Sequence, residues 1–244
     1  ISGVMAIYLI ECVVVDFSFI SVPYFVGVII TMVAILGLIN GTNMIDGFNG
    51  LSSGVCFIIF STYAAISYHI GDMVMLYINL VCMASLLGFL FFNFPKGRIF
   101  LGDGGAYSLG FLLAVISIML VKRHSDSSKV DEYISPWFAL VSLIYPVWEV
   151  IFSFTRRTLV HRLSPLYPDS KHVHQLIFRN ITKQNNPLTT LVIYPIVIIF
   201  NVIAIVFYNN TMALFMVSVV FVVLYSMFYF YYSRKEIPPQ KSVE

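Results

Sequence analysis

The chain has 244 residues, 59% hydrophobic and 11% charged, with a mean hydropathy of +0.89 and a formal net charge of +2. A soluble domain carries roughly 25% charged residues, so the composition excludes a water-soluble globular protein and offers no basic surface for nucleic acid. Apolar stretches near 20 residues recur along almost the whole length. That predicts an all-α, polytopic transmembrane helix bundle of about eight spans, not a barrel of short alternating strands.

In chain order, the predicted helices cover 4–15, 24–39, 51–69, 73–92, 107–121, 137–154, 188–208 and 212–232. The first carries Glu11 near its end, with Asp16 just beyond it, and Ser21-Val22-Pro23 turns the chain. The second delivers a polar island, Asn40-Gly-Thr-Asn43-Met-Ile-Asp46-Gly-Phe-Asn49-Gly-Leu51. Gly71-Asp72 turns the chain between the third and fourth helices. A second island follows the fourth: Asn93, Pro95, Lys96, Gly97, Arg98, then Leu101-Gly-Asp103-Gly-Gly-Ala106. Residues 122–133 form a mixed-charge loop, and Pro146 lies inside the sixth helix. A basic loop spans 155–186, and a polar tail runs over 233–244. There is no internal repeat, and the whole chain reads as one integral membrane domain. Cys12, Cys56 and Cys82 lie far apart in apolar runs without metal-ligand spacing, so they read as packing residues.

The loops alternate between two faces. The face of the first island also receives eleven of the fourteen Lys and Arg residues. The positive-inside rule makes that face cytoplasmic. Asp46, Asp103 and the histidines of the basic loop (His161, His172, His174) all fall on it. Asp126, Asp131 and Glu132 fall on the other face, where a solvated loop accounts for them.

Each island has a chemical and an ordinary reading. Around Asp46, glycines permit close backbone approach and positive φ, and Asn43 and Asn49 offer donors and acceptors; a loop between helices is equally built of Asn and Gly. Asp103 stands at the start of a helix, a position that favours phosphate oxygens. Its carboxylate suits Mg²⁺, which takes one or two protein carboxylates and leaves the other positions to water and phosphate; Asp is also an ordinary N-cap. Asn93 and Arg98 can face the same pocket, and Arg98 can equally anchor the chain at the interface. His172 and His174, two apart with Asp169 close by, can bind a metal or, protonated, a diphosphate in surroundings attractive to anions; the alternative is a solvated basic loop. No His-Glu-x-x-His occurs, which argues against a zinc hydrolase. Glu149 is an ionisable residue inside an apolar segment, by default a functional candidate, with pairing to a nearby arginine such as Arg156 as its alternative.

Three motifs stand in one order: Asn40-x-x-Asn43-x-x-Asp46-Gly-x-x-Gly-Leu51, Phe100-Leu-Gly-Asp103-Gly-Gly-Ala106 and Ser164-Pro-x-x-Pro-Asp169-x-x-His172-x-His174. Together the chain resembles the polyprenyl-phosphate N-acetylhexosamine-1-phosphate transferases, and the third motif resembles the GlcNAc-1-phosphate branch. The resemblance implies a bacterial inner-membrane enzyme with a cytoplasmic active site. Such an enzyme moves a HexNAc 1-phosphate, by default GlcNAc 1-phosphate, from a UDP-sugar to undecaprenyl phosphate. It releases UMP and starts a lipid-linked surface glycan. Mg²⁺ is the implied cofactor, with Mn²⁺ as a substitute, and a homodimer is compatible.

By the same resemblance Asp103 is the metal ligand and Asp46 belongs to the nucleotide-sugar site with Asn43. Asn93 matches an asparagine ten residues before the metal aspartate, His172 and His174 match the diphosphate motif, and Glu149 falls where members often have Asp or Glu. Members usually have Asp at the position of Asn49, His at Gln175 and Arg at Ser170. They also carry an adjacent Asp-Asp pair in an earlier cytoplasmic loop. No Asp-Asp occurs here, so two or three further spans are expected before Ile1, and this segment alone is expected to be inactive. A transporter and a non-catalytic scaffold are the rival readings. One-sided islands and the lack of an inverted repeat argue against the first, while Asn49 and Gln175 are what favour the second.

Overall fold

The computed structural model describes residues 13–125, 132–160 and 171–234. The predicted 4–15 helix falls almost wholly outside them, as do Asp169 and His161; residues 13–15 are not helical. The described residues form nine α-helices: α1 Tyr24–Met44, α2 Leu51–Ile70, α3 Met73–Asn93, α4 Gly102–His124, α5 Pro136–Ser142, α6 Ile144–Thr155, α7 Val173–Asn180, α8 Asn186–Val206 and α9 Thr211–Ser233. A π-helical stretch, Arg156–Val160, continues α6. Among the described residues the only β pairing is an isolated bridge between Asp16 and Ser21.

Six helices (α1 to α4, α8 and α9) are long and apolar enough to cross a membrane. The pair α5–α6, bent by 77°, supplies a seventh crossing if counted as one span. The protein is a multi-pass membrane protein, and the predicted 137–154 span is this bent pair. The bend has a local cause. Pro146 has no N–H to give the Ser142 carbonyl four residues back. The Asn201 amide of α8 donates to that carbonyl at 3.3 Å, which supplies a partner in a medium without water.

The helix ends are specified by side chains. The Asp72 carboxylate accepts from the Met75 N–H and caps α3. Asn185, Ser135 and Asn210 do the same for α8, α5 and α9. At the end of α2, Gly71 takes the left-handed conformation (φ +80°). The Gly71 and Asp72 N–H groups return to the Tyr68 and Ser67 carbonyls, closing a Schellman turn.

α2 is the buried axis of the bundle, whereas α3 presents most of its surface outward. Between membrane helices, packing and hydrogen bonds replace the hydrophobic drive. α1 and α4 accordingly meet at Gly110, where a Cβ would stand 2.6 Å from the Leu38 carbonyl oxygen. Beside it the Thr42 hydroxyl donates to the Ala106 carbonyl at 2.9 Å. Tyr63 of α2 and Ser117 of α4 hydrogen-bond at 2.8 Å within the core.

Candidate active site

The first island is the last turn of α1, a tight loop over residues 45–50, and the start of α2. Its backbone is fastened from two sides, by α8 and by the end of α3. The Asn49 N–H donates to the Asn186 side-chain oxygen at 2.8 Å, and the Asn49 carbonyl accepts from Thr190 at 2.8 Å. The Gly50 N–H donates to Asn93 Oδ1 at 2.5 Å, and the Gly50 carbonyl accepts from the Tyr194 hydroxyl at 2.6 Å. Gly50 itself is left-handed (φ +75°). One turn on, Gly54 has no Cβ, and one there would collide with the Tyr194 hydroxyl. The Asn49 amide donates to the Pro95 carbonyl, and the Asn93 amide to the Ile99 carbonyl. Asn49 and Asn93, both expected to touch substrate, thus hold the first two islands together.

Across this frame the Asn43 amide donates to Asp103 Oδ1 at 3.0 Å. Asp103 stands exposed in the first turn of α4. Asp46 is half-buried. Its desolvation, and then the charge of Asp103, raise its carboxyl from 3.8 to about 7. The charge of Asp103 reaches Asp46, so a second negative charge at the island face is disfavoured. Arg98 is exposed in the loop between α3 and α4.

The histidine segment meets the same frame. Phe48 packs its ring edge-on against His174, 5.6 Å between centroids, and lies 5.0 Å from Phe178 of α7. His172 and His174 are buried at the start of α7, their rings stacked within 10° of parallel and 5.2 Å apart. Glu149 of α6, 1% exposed, lies beneath both. Its Oε2 accepts from His172 Nδ1 at 3.1 Å, and its Oε1 accepts from the Val173 N–H at 3.2 Å. His174 Nδ1 is 3.7 Å from Oε1 and 3.4 Å from the Tyr145 hydroxyl. Arg156 lies over the Tyr229 ring. Gln175 caps α7, its side-chain oxygen accepting from the His172 N–H at 3.3 Å.

The structure thus brings Asn43, Asp46 and Asp103 together, and joins them through Phe48 to His172, His174 and Glu149. The bracing residues Asn186, Thr190 and Tyr194, and the bridging Phe48, carried no signal in the sequence beyond an Asn-Pro helix start and aromatic abundance. Among the described residues no group of three or more His, Cys, Asp or Glu side chains is arranged to hold a metal ion. An exposed carboxylate steadied by an amide, as Asp103 is by Asn43, would suit Mg²⁺, which asks for few protein ligands and takes the rest from water and phosphate.

Residues 2–121 match the family model for glycosyl transferase family 4. The chain is 32% identical over 182 residues to a probable undecaprenyl-phosphate N-acetylglucosaminyl 1-phosphate transferase of Bacillus subtilis, covering 75% of this chain and 48% of that protein. It is 30% identical over 168 residues to the undecaprenyl-phosphate alpha-N-acetylglucosaminyl 1-phosphate transferase of Thermotoga maritima, covering 69% and 48%. Over 98 residues it is 41% identical to a phospho-N-acetylmuramoyl-pentapeptide-transferase of Lacticaseibacillus paracasei, covering 40% and 30%. The chain spans about half the length of these two N-acetylglucosaminyl 1-phosphate transferases. Three ordered motifs, the fold that unites them and these likenesses lead to one conclusion: the chain belongs to glycosyl transferase family 4.

Proposed function

We propose that this chain carries the cytoplasmic active-site part of an enzyme that transfers HexNAc 1-phosphate, GlcNAc 1-phosphate in the first instance, from a UDP-sugar to undecaprenyl phosphate. A phosphate oxygen of the lipid attacks the sugar-bearing β-phosphorus of the donor. The bond from that phosphorus to the bridging oxygen breaks, UMP leaves, and a lipid-linked sugar diphosphate forms. The observation that carries this reading is the Asn43–Asp103 hydrogen bond. It ties the nucleotide-sugar motif to the metal motif, on the face to which the alternation of loops in the sequence assigns eleven of the fourteen Lys and Arg residues. Positive-inside bias makes that face cytoplasmic, where nucleotide sugars are available.

Phosphoryl transfer needs mainly positioning and charge stabilisation. Asp103 would hold Mg²⁺, which supplies neutralisation of the phosphate oxygens. Asn43 fixes the orientation of the Asp103 carboxylate. Asp46 adds negative charge that a cation relieves. His172 and His174 hold the diphosphate, and the exposed Arg98 screens it. The rigid braces at Asn49 and Gly50 keep the first island from moving as two polyanions are brought together.

The test is UDP-GlcNAc/UMP exchange and lipid-linked product formation by the complete enzyme with undecaprenyl phosphate. We expect Mg²⁺-dependent turnover and its loss, by at least 100-fold, in Asp103→Asn. Near-normal turnover in Asp103→Asn, or transport of the substrates without any lipid-linked product, refutes the assignment.

A further inference from the structure

Resting on the transferase reading above, we infer that Asn186, Thr190 and Tyr194 of α8 are positioning residues for the nucleotide-sugar donor. They act through the backbone of the first island, which they grip beside Asp46, and not on the donor itself.

Residues four apart share one face of a helix, and positions 186, 190 and 194 form such a stripe on α8. The stripe meets residues 49 and 50. The Asn49 N–H donates to Asn186 Oδ1 at 2.8 Å, the Thr190 hydroxyl donates to the Asn49 carbonyl at 2.8 Å, and the Tyr194 hydroxyl donates to the Gly50 carbonyl at 2.6 Å. The fourth backbone group of the pair, the Gly50 N–H, goes to Asn93. Side chains from other helices thus engage every backbone polar group of residues 49 and 50. The first groups of a helix lack partners within it, and Gly50, the N-cap of α2, has no side chain to supply one. The Gly50 carbonyl also takes the Gly54 N–H, the first bond of α2. Tyr194 reaches the same oxygen because Gly54 leaves room for its hydroxyl.

The island is anchored at both ends. On the α1 side Thr42 donates to the Ala106 carbonyl, the Thr42 carbonyl accepts from Ser52, and Asn43 donates to Asp103. On the α2 side the anchors are the α8 stripe and Asn93. Asp46 lies between the two. Loosening α8 therefore shifts Asp46 and leaves the Asn43–Asp103 bond in place. A group held loosely contributes less to binding because its ordering must be supplied when the ligand arrives. The change falls on the hold for the donor, and the metal requirement and the lipid acceptor are spared.

Two measurements test the role. The first reads the grip itself, by amide hydrogen exchange of the protein in nanodiscs. Exchange over residues 45–52 should quicken in Thr190→Val, which keeps the buried shape and loses the hydroxyl. It should stay at the wild-type rate in Thr190→Ser, which keeps the hydroxyl. Tyr194→Phe, at a half-buried position, should quicken it as well and serves if Thr190→Val does not fold. Thr189→Val is the control: it loses a buried hydrogen bond to Thr182 on another face of α8 and should leave 45–52 unchanged. Wild-type exchange in Thr190→Val and Tyr194→Phe, or equal quickening in Thr189→Val, overturns the inference.

The second is transfer kinetics of the complete enzyme. Thr190→Val and Tyr194→Phe should each raise the KM for UDP-GlcNAc about 10-fold, the scale of one hydrogen bond lost at a buried group. The KM for undecaprenyl phosphate and the Mg²⁺ requirement should stay within about twofold, as they do when only donor binding is weakened. Thr190→Ser should keep the wild-type donor KM, and Thr189→Val should lower the thermal midpoint without raising that KM. A fall in kcat alone, an equal rise in both KM values, or a donor KM as high in Thr190→Ser as in Thr190→Val overturns the inference. A wild-type enzyme that makes no lipid-linked product overturns the proposed function alone, and the exchange rates then decide whether α8 grips the island.

Discussion

The Asn43 amide donates to Asp103 from a half-buried position in the last turn of α1. The Asn93 amide is buried and spans the Gly50 N–H and the Ile99 carbonyl. One side chain serves the site, and the other serves the frame around it. Substitution separates them. Asn93→Ala strands the buried Gly50 N–H, at about 1–3 kcal/mol for such an unsatisfied group, and releases the more exposed Ile99 carbonyl. We expect a lower thermal midpoint in detergent together with reduced transfer. Asn43→Ala removes a bond to an exposed carboxylate. Its thermal midpoint should stay within about 1 °C of wild type, since changes at exposed sites lie within about 0.5 kcal/mol. Transfer should fall about 10–100-fold with a higher Mg²⁺ requirement, as for other groups that orient a metal ligand. An Asn43→Ala protein with normal Mg²⁺ dependence would detach Asn43 from the site.

At the scale of the elements, periodicity and turn residues placed most spans closely: 51–69 against Leu51–Ile70, and 73–92 against Met73–Asn93. Three features escaped for physical reasons. Gly102-Asp103-Gly104-Gly105 reads as loop by composition, yet it forms the first turn of α4, whose start at 102 precedes the expected 107. The break at Leu143 depends on Asn201, 58 residues away, accepting the role of partner to a carbonyl freed by Pro146. The basic loop contains α7 because Glu149 and Gln175 together hold its first turn. The candidate residues were legible as types in a pattern. Which of them touch each other was not, because these contacts join residues 23 to 60 apart in sequence.

Asp72 shows an element junction with a measurable pH signature. It caps α3 and accepts from Arg123 Nε at 2.7 Å and His124 Nε2 at 3.0 Å at the end of α4. Burial alone would raise its carboxyl, but the hydrogen bonds from Arg123, His124 and Met75 outweigh it and hold the group at about 2, below the usual 3.8. The unfolded chain therefore binds a proton near pH 4 that the folded chain refuses until about pH 2. The stabilisation is full above that window and is lost as pH falls through it. Asp72→Asn keeps a good cap and removes the charge. The difference in thermal midpoint between wild type and Asp72→Asn should be largest at neutral pH and close as pH drops from 4 to 2. A gap independent of pH would show that the ion pairs contribute nothing.

On the whole-molecule scale, the proposed transfer requires every polar segment of the site to open on the side that holds nucleotide sugars. The connections at 45–50 and 94–101 and the start of α8 lie at one end of the bundle, as the Asn43–Asp103, Asn49–Pro95 and Asn49–Asn186 bonds require. The opposite end is tied by Asp72 to Arg123 and by the Ser135 N–H to the Tyr208 carbonyl. The two ends are therefore defined by contacts that owe nothing to charge counting. The basic residues then orient the bundle, since Lys96, Arg98, Arg179 and Lys183 fall on the site end. A membrane-impermeant thiol reagent tests the orientation in a background with Cys12, Cys56 and Cys82 replaced. Lys96→Cys and Lys183→Cys should label only in inverted vesicles, and Ser125→Cys only in right-side-out vesicles. The reverse pattern would put Asp46, Asp103 and the histidine pair on the side without nucleotide sugars, and no arrangement of their side chains could then support the transfer.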